Sequence, residues 1–179
     1  MALFFEQFPK LAYDISGNKN FKLVTDIFRR IKIRSNIADN VSLYSTYDVP
    51  SGETPETTSF KHFGTTDYHW IILLTNNITD RYYGWPLSEQ DFETYINDKY
   101  TNPDAVHHYE ITQSSGLQTG NGPDDYSYKI EVNSTEPGAQ SVSNREYEQR
   151  LQDEKRQIKL LDPNFLITFL DEFEKLVRD

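Results

Sequence analysis

The 179-residue chain carries 18 Lys+Arg against 28 Asp+Glu, a net charge of −10, and no cysteine. A 36% apolar content that includes tyrosine is a thin supply of core material, yet Leu, Ile, Val and Phe, 45 of the 179 residues, keep the chain out of the disordered class, and aromatics at 14% are abundant. This balance excludes a disulfide framework, a thiolate zinc site and a thiol nucleophile, and it argues against broad binding to a phosphate backbone.

The longest apolar run, Trp70 to Leu74, falls far short of a membrane span of roughly 20 residues. Met1 to Pro9 has no basic n-region, so no secretory leader is expected. Residues 1–40 open with an aromatic peptide, Phe4, Phe5, Phe8 and Tyr13, and then a Gly17-Asn18 turn. After Thr25 a short helix is predicted, with Ile27, Phe28 and Ile31 on one face. An extended arm this rich in aromatics should dock, either onto the rest of the chain or onto a neighbour.

Residues 41–88 read as strand, helix, helix, strand. Leu43, Ser45, Tyr47 and Val49 share one strand face. Thr54 caps a helix with Pro55 at its first position, and Gly64 ends it in the left-handed conformation. A second helix runs from Asp67 to about Asn76 and is apolar nearly all round. Tyr82 to Leu87 is predicted as a short strand or extended exit. Ser88 caps a third, connecting helix over 89–100, with Phe92, Tyr95 and Ile96 on its apolar face.

Residues 101–143 change character. His107, Tyr109 and Ile111 alternate with polar residues, as do Tyr126, Tyr128, Ile130 and Val132, which predicts a β-hairpin arm with a polar tip over 113–125. Residues 133–142 read as a flexible connector. An isolated hairpin is marginal in water, so the arm needs a surface to lie on. In 144–179, Ser143 to Glu146 fits a capping box opening an almost wholly polar helix, whose weak stripe is Tyr147, Leu151, Glu154 and Ile158. Such a helix bridges solvent or lies on a partner. Gln157 to Leu161 is strand-like, and Asp162-Pro163 opens a last helix with Leu166, Phe169, Leu170, Phe173, Leu176 and Val177 on one face.

No constellation for catalysis stands out. There is no His-Glu-x-x-His, nucleophile elbow, Walker loop or dinucleotide fingerprint, and His107 and His108 should alternate across a strand rather than share a metal. The run Arg29 to Arg34 reads as a solvated helix end. No catalytic residue, cofactor or metal is expected, which leaves a binding or structural role.

The 41–88 unit resembles a LysM module. Gly52-Glu53-Thr54 matches that family's turn after the first strand, Phe63-Gly64 its aromatic-glycine helix close, and Tyr68 to Asn76-Asn77 its second helix. Glu53 replaces the usual Asp, and Gly84-Trp85-Pro86-Leu87 is a poor closing strand. Over most of the chain a narrower likeness exists. Thr25 to Arg29, Tyr68 to Asn77, Arg81 to Leu87 and Glu154 to Leu161 occur in an order similar to the baseplate wedge subunit fifty-three family of T-even-type contractile-tailed bacteriophages.

The expected fold class is α+β: a small LysM-like βααβ unit with an extended N-terminal arm, a β-hairpin arm and C-terminal helices. The resemblance implies a non-enzymatic part of the virion tail baseplate, assembled in the host cytoplasm and not secreted. Such proteins clamp neighbouring wedge subunits together and to the central hub, so other wedge and hub proteins are the expected partners, not nucleic acid or membrane. Three contact groups are expected: Phe4, Phe5 and Phe8; Tyr82, Tyr83 and Trp85; Phe165, Phe169 and Phe173. Internal packing is the alternative for each, above all for Trp85 and Phe169. The alternative function is a LysM-type binder of peptidoglycan or chitin-like glycan through the loops at Gly52, Glu53, Thr54, Asn76 and Asn77. The lack of a leader or lytic segment weighs against it.

Overall fold

The computed structural model describes residues 4–29, 31–33, 40–113 and 128–178, and the chain divides into two units, Met1–Pro86 with Lys155–Asp179, and Leu87–Glu154. In the first unit a 3-10 turn, Phe4–Gln7, leads into β1 (Lys10–Tyr13), which pairs antiparallel with β2 (Lys22–Thr25). Asp26 N–H donates to Pro9 O and closes the hairpin base. Among the described residues that follow Thr25, 26–29 and 31–33, the expected helix does not form. The Asp26 carboxylate instead accepts the Phe28 N–H at 3.2 Å and pairs with Arg29, an Asx turn that competes with helical bonding.

β3 (Tyr44–Asp48) is followed by α1 (Pro55–Phe63) and, after a 3-10 turn, by α2 (His69–Thr75). The capping is as local chemistry dictates: Thr54 Oγ1 accepts the Thr57 N–H, and Gly64 sits at φ 77°, where its amide returns to Phe60 O. The exit strand expected at Tyr82 to Leu87 is instead a single helical turn, α3 (Arg81–Gly84), because Asp80 caps the amides of Tyr82 and Tyr83. Trp85, just beyond it, is extended. The strand that pairs with β3 comes from far downstream: β7 (Gln157–Leu161) runs antiparallel to it, Tyr44 opposite Leu161 and Asp48 opposite Gln157. A 3-10 turn capped by Asp162 then leads into α6 (Leu166–Arg178).

Two clusters fill this unit. Phe8, Trp70, Ile71, Leu161, Phe173 and Val177 form one, and Val49, Ile72, Trp85, Ile158 and Leu160 the other. α2 serves both, since Ile71 and Ile72 point to different sides, and β7 does the same with Leu161 against Ile158 and Leu160. Each fully buried aliphatic side chain contributes about 1.5–3 kcal/mol.

The second unit is built differently. α4 (Glu89–Lys99) is capped by Ser88, whose Oγ accepts the Asp91 N–H. A three-stranded antiparallel sheet follows, in the order β5 (Tyr128–Val132), β4 (Val106–Gln113), β6 (Gln140–Ser143). The hairpin of β4 and β5 is as expected, while Tyr126 and the tip lie outside the described residues. The connector reading of 133–142 is corrected: Gln140 to Ser143 is a third strand, held by Val142, which is buried opposite His108. A four-residue strand shows too little alternation to be read locally.

α5 (Asn144–Arg156) starts as expected, with Ser143 Oγ accepting the Glu146 N–H. Its buried face is not the Tyr147 and Leu151 stripe but Glu148 and Gln152, one turn apart. Gln152 Oε1 accepts the Leu87 N–H at 3.0 Å. Glu148 receives Lys99 Nζ at 2.7 Å, Tyr100 Oη at 2.8 Å and Tyr95 Oη at 3.2 Å. Among its described residues the unit therefore buries three polar side chains, Glu110, Glu148 and Gln152, beside three apolar ones, Phe92, Ile96 and Val142. The scarcity of apolar residues is concentrated here.

Charge divides as unevenly. The second unit holds 14 of the 28 Asp+Glu but 4 of the 18 Lys+Arg, so 4 − 14 = −10 is the whole net charge, and the first unit is neutral at 14 against 14.

Candidate functional site

No helix of the described residues is long and apolar enough to cross a membrane, and no group of three or more His, Asp or Glu side chains among them is placed to hold a metal ion. One histidine expectation is corrected. A β-bulge between Val106 and His108 breaks the alternation and brings the Nδ1 atoms of His107 and His108 to 2.9 Å, with His107 stacked on Tyr147.

The three aromatic groups expected at contacts are placed unequally, all in the first unit. Phe4 and Phe8 pack against the chain's own Trp70 and Phe173, with Phe4 5.4 Å from the Trp70 ring and Trp70 4.6 Å from Phe173. Phe5, between them, is exposed. Phe165, Phe169 and Phe173 come together along a cavity of about 290 Å³ lined also by Leu43, Tyr44 and Leu74. Phe173 forms its floor within the core, Phe169 is half-buried and Phe165 exposed. The Tyr44 hydroxyl is buried without a hydrogen-bond partner among the described residues, and burial pushes its pKa up.

The Tyr82-Tyr83-Gly84-Trp85 stretch resolves into a pedestal. Trp85 is buried and its Nε1 donates to Glu53 O at 2.7 Å. Gly84 packs so closely that a Cβ there would lie 2.7 Å from Ile78 Cγ2. Arg81 Nη1 pairs with Glu56 at 2.6 Å. On this fixed base Tyr82 and Tyr83 stand 82% and 77% exposed. Tyrosine rings on a fixed backbone offer large contact area with only two side-chain torsions to order on binding, the property of interface anchors.

The loop positions matched to LysM are engaged within the chain. Gly52 adopts φ 77° and opens the turn. The Glu53 carboxylate accepts from Tyr47 Oη, Thr58 Oγ1 and Lys61 Nζ at 2.6–3.1 Å. Burial pushes its pKa up, but the bonds from Lys61, Thr58 and Tyr47 outweigh that and hold it below the ordinary value. Thr54 is the helix cap. Asn76 ties α2 to β7: its Nδ2 donates to Ile72 O and Lys159 O, and its Oδ1 accepts the Lys159 N–H, each at 2.8 Å. Asn77 follows at φ 54°. Asn76→Ala is expected to destabilise the first unit by about 2 kcal/mol, read by urea unfolding followed through tryptophan fluorescence, since both tryptophans lie in that unit.

The β1–β2 hairpin adds an apolar surface that the aromatic-arm reading missed. Phe21, Leu23, Ile15 and Tyr13 are all more than half exposed, as are Ile27 and Phe28 beyond it. Phe21 and Leu23 alternate with Lys22, a signal too short to separate strand from turn.

A family model described as base plate wedge protein 53 matches residues 1–176. Baseplate wedge protein gp53 of Enterobacteria phage T4 is 28% identical over 99 residues, which is 55% of this chain and 50% of that protein. The chain thus matches about half the length of the curated relative. With the family model covering nearly the whole length, the chain belongs to the base plate wedge protein 53 family.

Proposed function

We propose that this chain is a structural, non-catalytic part of a phage tail baseplate that clamps neighbouring wedge subunits together and to the central hub, within the virion and after assembly in the host cytoplasm. The observation that carries the reading, beside family membership, is the outward display of Tyr82 and Tyr83 on a base fixed by Trp85, Asp80 and Arg81. The exposed hairpin residues and Phe5 and Phe165 supply further contact area. Adjacent wedge and hub proteins are the partners.

Within the first unit we read β3, α1, α2 and β7 as the LysM-like element, its closing strand supplied by β7 rather than by residues 82–87. It serves as a protein-binding module. A glycan-binding role has less support, because the Glu53 carboxylate and the Asn76 amide are committed to internal bonds, which leaves only backbone donors and acceptors of these loops to meet a sugar. Retention of the purified chain on peptidoglycan would favour that second reading.

The test is complementation of a phage lacking this gene. The double variant Tyr82→Ala/Tyr83→Ala should unfold within about 0.5 kcal/mol of wild type, since both rings are exposed. Infectious yield should nevertheless fall at least about tenfold, as loss of anchor residues predicts. Full yield from the double variant would overturn the role given to this pedestal.

A further inference from the structure

The sheet of the second unit turns its apolar side away from its own helix. Register places Tyr109 opposite Val132 and Ile111 opposite Ile130, with Tyr128 on the same side. Glu110, Thr112, Lys129, Glu131, Gln140 and Val142 face the other side. It is this polar side that α5 engages: Arg150 reaches Glu110 with two bonds, 2.7 and 2.9 Å, and Lys129 meets the same carboxylate. Tyr109, Ile111, Ile130 and Val132 are left only half-buried, and Tyr128 is 55% exposed. None of the five belongs to a core cluster among the described residues. A contiguous apolar face on a folded sheet marks an interaction site.

Charge selects the occupant. The unit carries a net −10, and each of its four cations is already held by its own carboxylates: Lys99 by Glu148, Lys129 and Arg150 by Glu110, Arg145 by Glu93 and Asp104. A second copy would set −10 against −10 and be repelled. We propose that the Tyr109, Ile111, Ile130 and Val132 face docks a partner protein whose contact patch is apolar at its centre and ringed by Lys and Arg. The partner is a baseplate neighbour, a point that rests on the function proposed above. Apolar burial holds the complex, while the opposed charges speed encounter and reject acidic surfaces.

The experiment uses the full-length chain and partial wedges purified from cells infected with a phage whose copy of this gene is silenced. Ile111→Thr/Ile130→Thr/Val132→Thr keeps β-branched residues in the strands while removing apolar area. Tyr128→Ser, at a more exposed position, is the second variant should the triple one lose its circular dichroism. Wild type should be captured, and capture should weaken severalfold at high salt. The folded variant should bind at least about tenfold more weakly. Capture of wild type and variants alike, or capture indifferent to salt, would overturn this inference while leaving the baseplate role standing. Self-association of the free chain that the variant abolishes would assign the face to a second copy and overturn it too. Failure of wild type to bind any wedge would remove the baseplate reading itself, and this inference with it.

Discussion

In Arg150→Met, residues 87–154 are expected to unfold about 3 kcal/mol more easily than in wild type, measured by hydrogen exchange of their amides. Glu110 is 5% exposed at the centre of the sheet, directly across from another acid, Glu131, and it stays ionised there through two cations, Arg150 and Lys129. Arg150 gives two hydrogen bonds, Lys129 one at 2.5 Å, and His108 lies 3.9 Å away. The Arg150 guanidinium, opposed by burial and joined by Lys129, pulls the Glu110 pKa from 4.5 to about 2. Removing it strands a buried carboxylate with one remaining close cation. Glu110→Leu/Arg150→Met, which removes the pair together, is expected to recover most of the loss, because a buried ion pair is no more stabilising than well-packed apolar groups of similar volume.

The same geometry sets an acid limit. A carboxyl whose folded pKa is depressed stabilises fully above its unfolded pKa and loses that contribution as pH falls through the folded value. For Glu110 the window runs from about 4.5 down to about 2 and involves on the order of 3 kcal/mol. Glu148, whose burial is outweighed by the bonds from Lys99 and Tyr100, is shifted the same way and adds to it. Arg150→Met should flatten the acid dependence of residues 87–154. A variant with wild-type stability and an unchanged acid profile would show that the ion pair is incidental.

Trp85→Ala is expected to cost the first unit about 3–5 kcal/mol, for a different reason. The indole fills the cluster of Val49, Ile72, Ile158 and Leu160, and its N–H satisfies the carbonyl of Glu53. The residue also fixes the base on which Tyr82 and Tyr83 stand, so baseplate incorporation should fall with stability. Trp85→Phe should recover the apolar part and leave a deficit of about 1–3 kcal/mol from the unpaired Glu53 carbonyl. Equal losses in Trp85→Phe and Trp85→Ala would mean that the hydrogen bond dominates; a loss below 1 kcal/mol in Trp85→Ala would contradict the placement of this side chain in the core.

Helix ends were legible because their chemistry is local. Thr54 with Pro55, Gly64, Ser88, Ser143 and Asp162 with Pro163 each mark a boundary through side-chain bonds within a few residues. What stayed hidden depends on partners distant in sequence. β3 finds β7 across the whole second unit, and nothing near Tyr44 announces it. Aromatic Tyr82 and Tyr83 suggested a strand until Asp80 claimed their amides. Glu148 and Gln152 looked like a solvated face, since a buried carboxylate is recognisable only once Lys99, Tyr95 and Tyr100 converge on it. Of the residues expected at contacts, Tyr82 and Tyr83 stand outward, whereas Phe8, Trp85 and Phe173 belong to the core, a distinction that composition and spacing alone do not draw.

The central claim is that this chain is built into the tail baseplate, and its most direct test is to locate it. Quantitative mass spectrometry of purified virions, isolated baseplates and the soluble fraction of the lysate should find the chain in baseplates, in fixed ratio to the other wedge proteins. Its absence from purified baseplates, with the chain recovered instead in the soluble fraction or on host cell wall, would contradict the account.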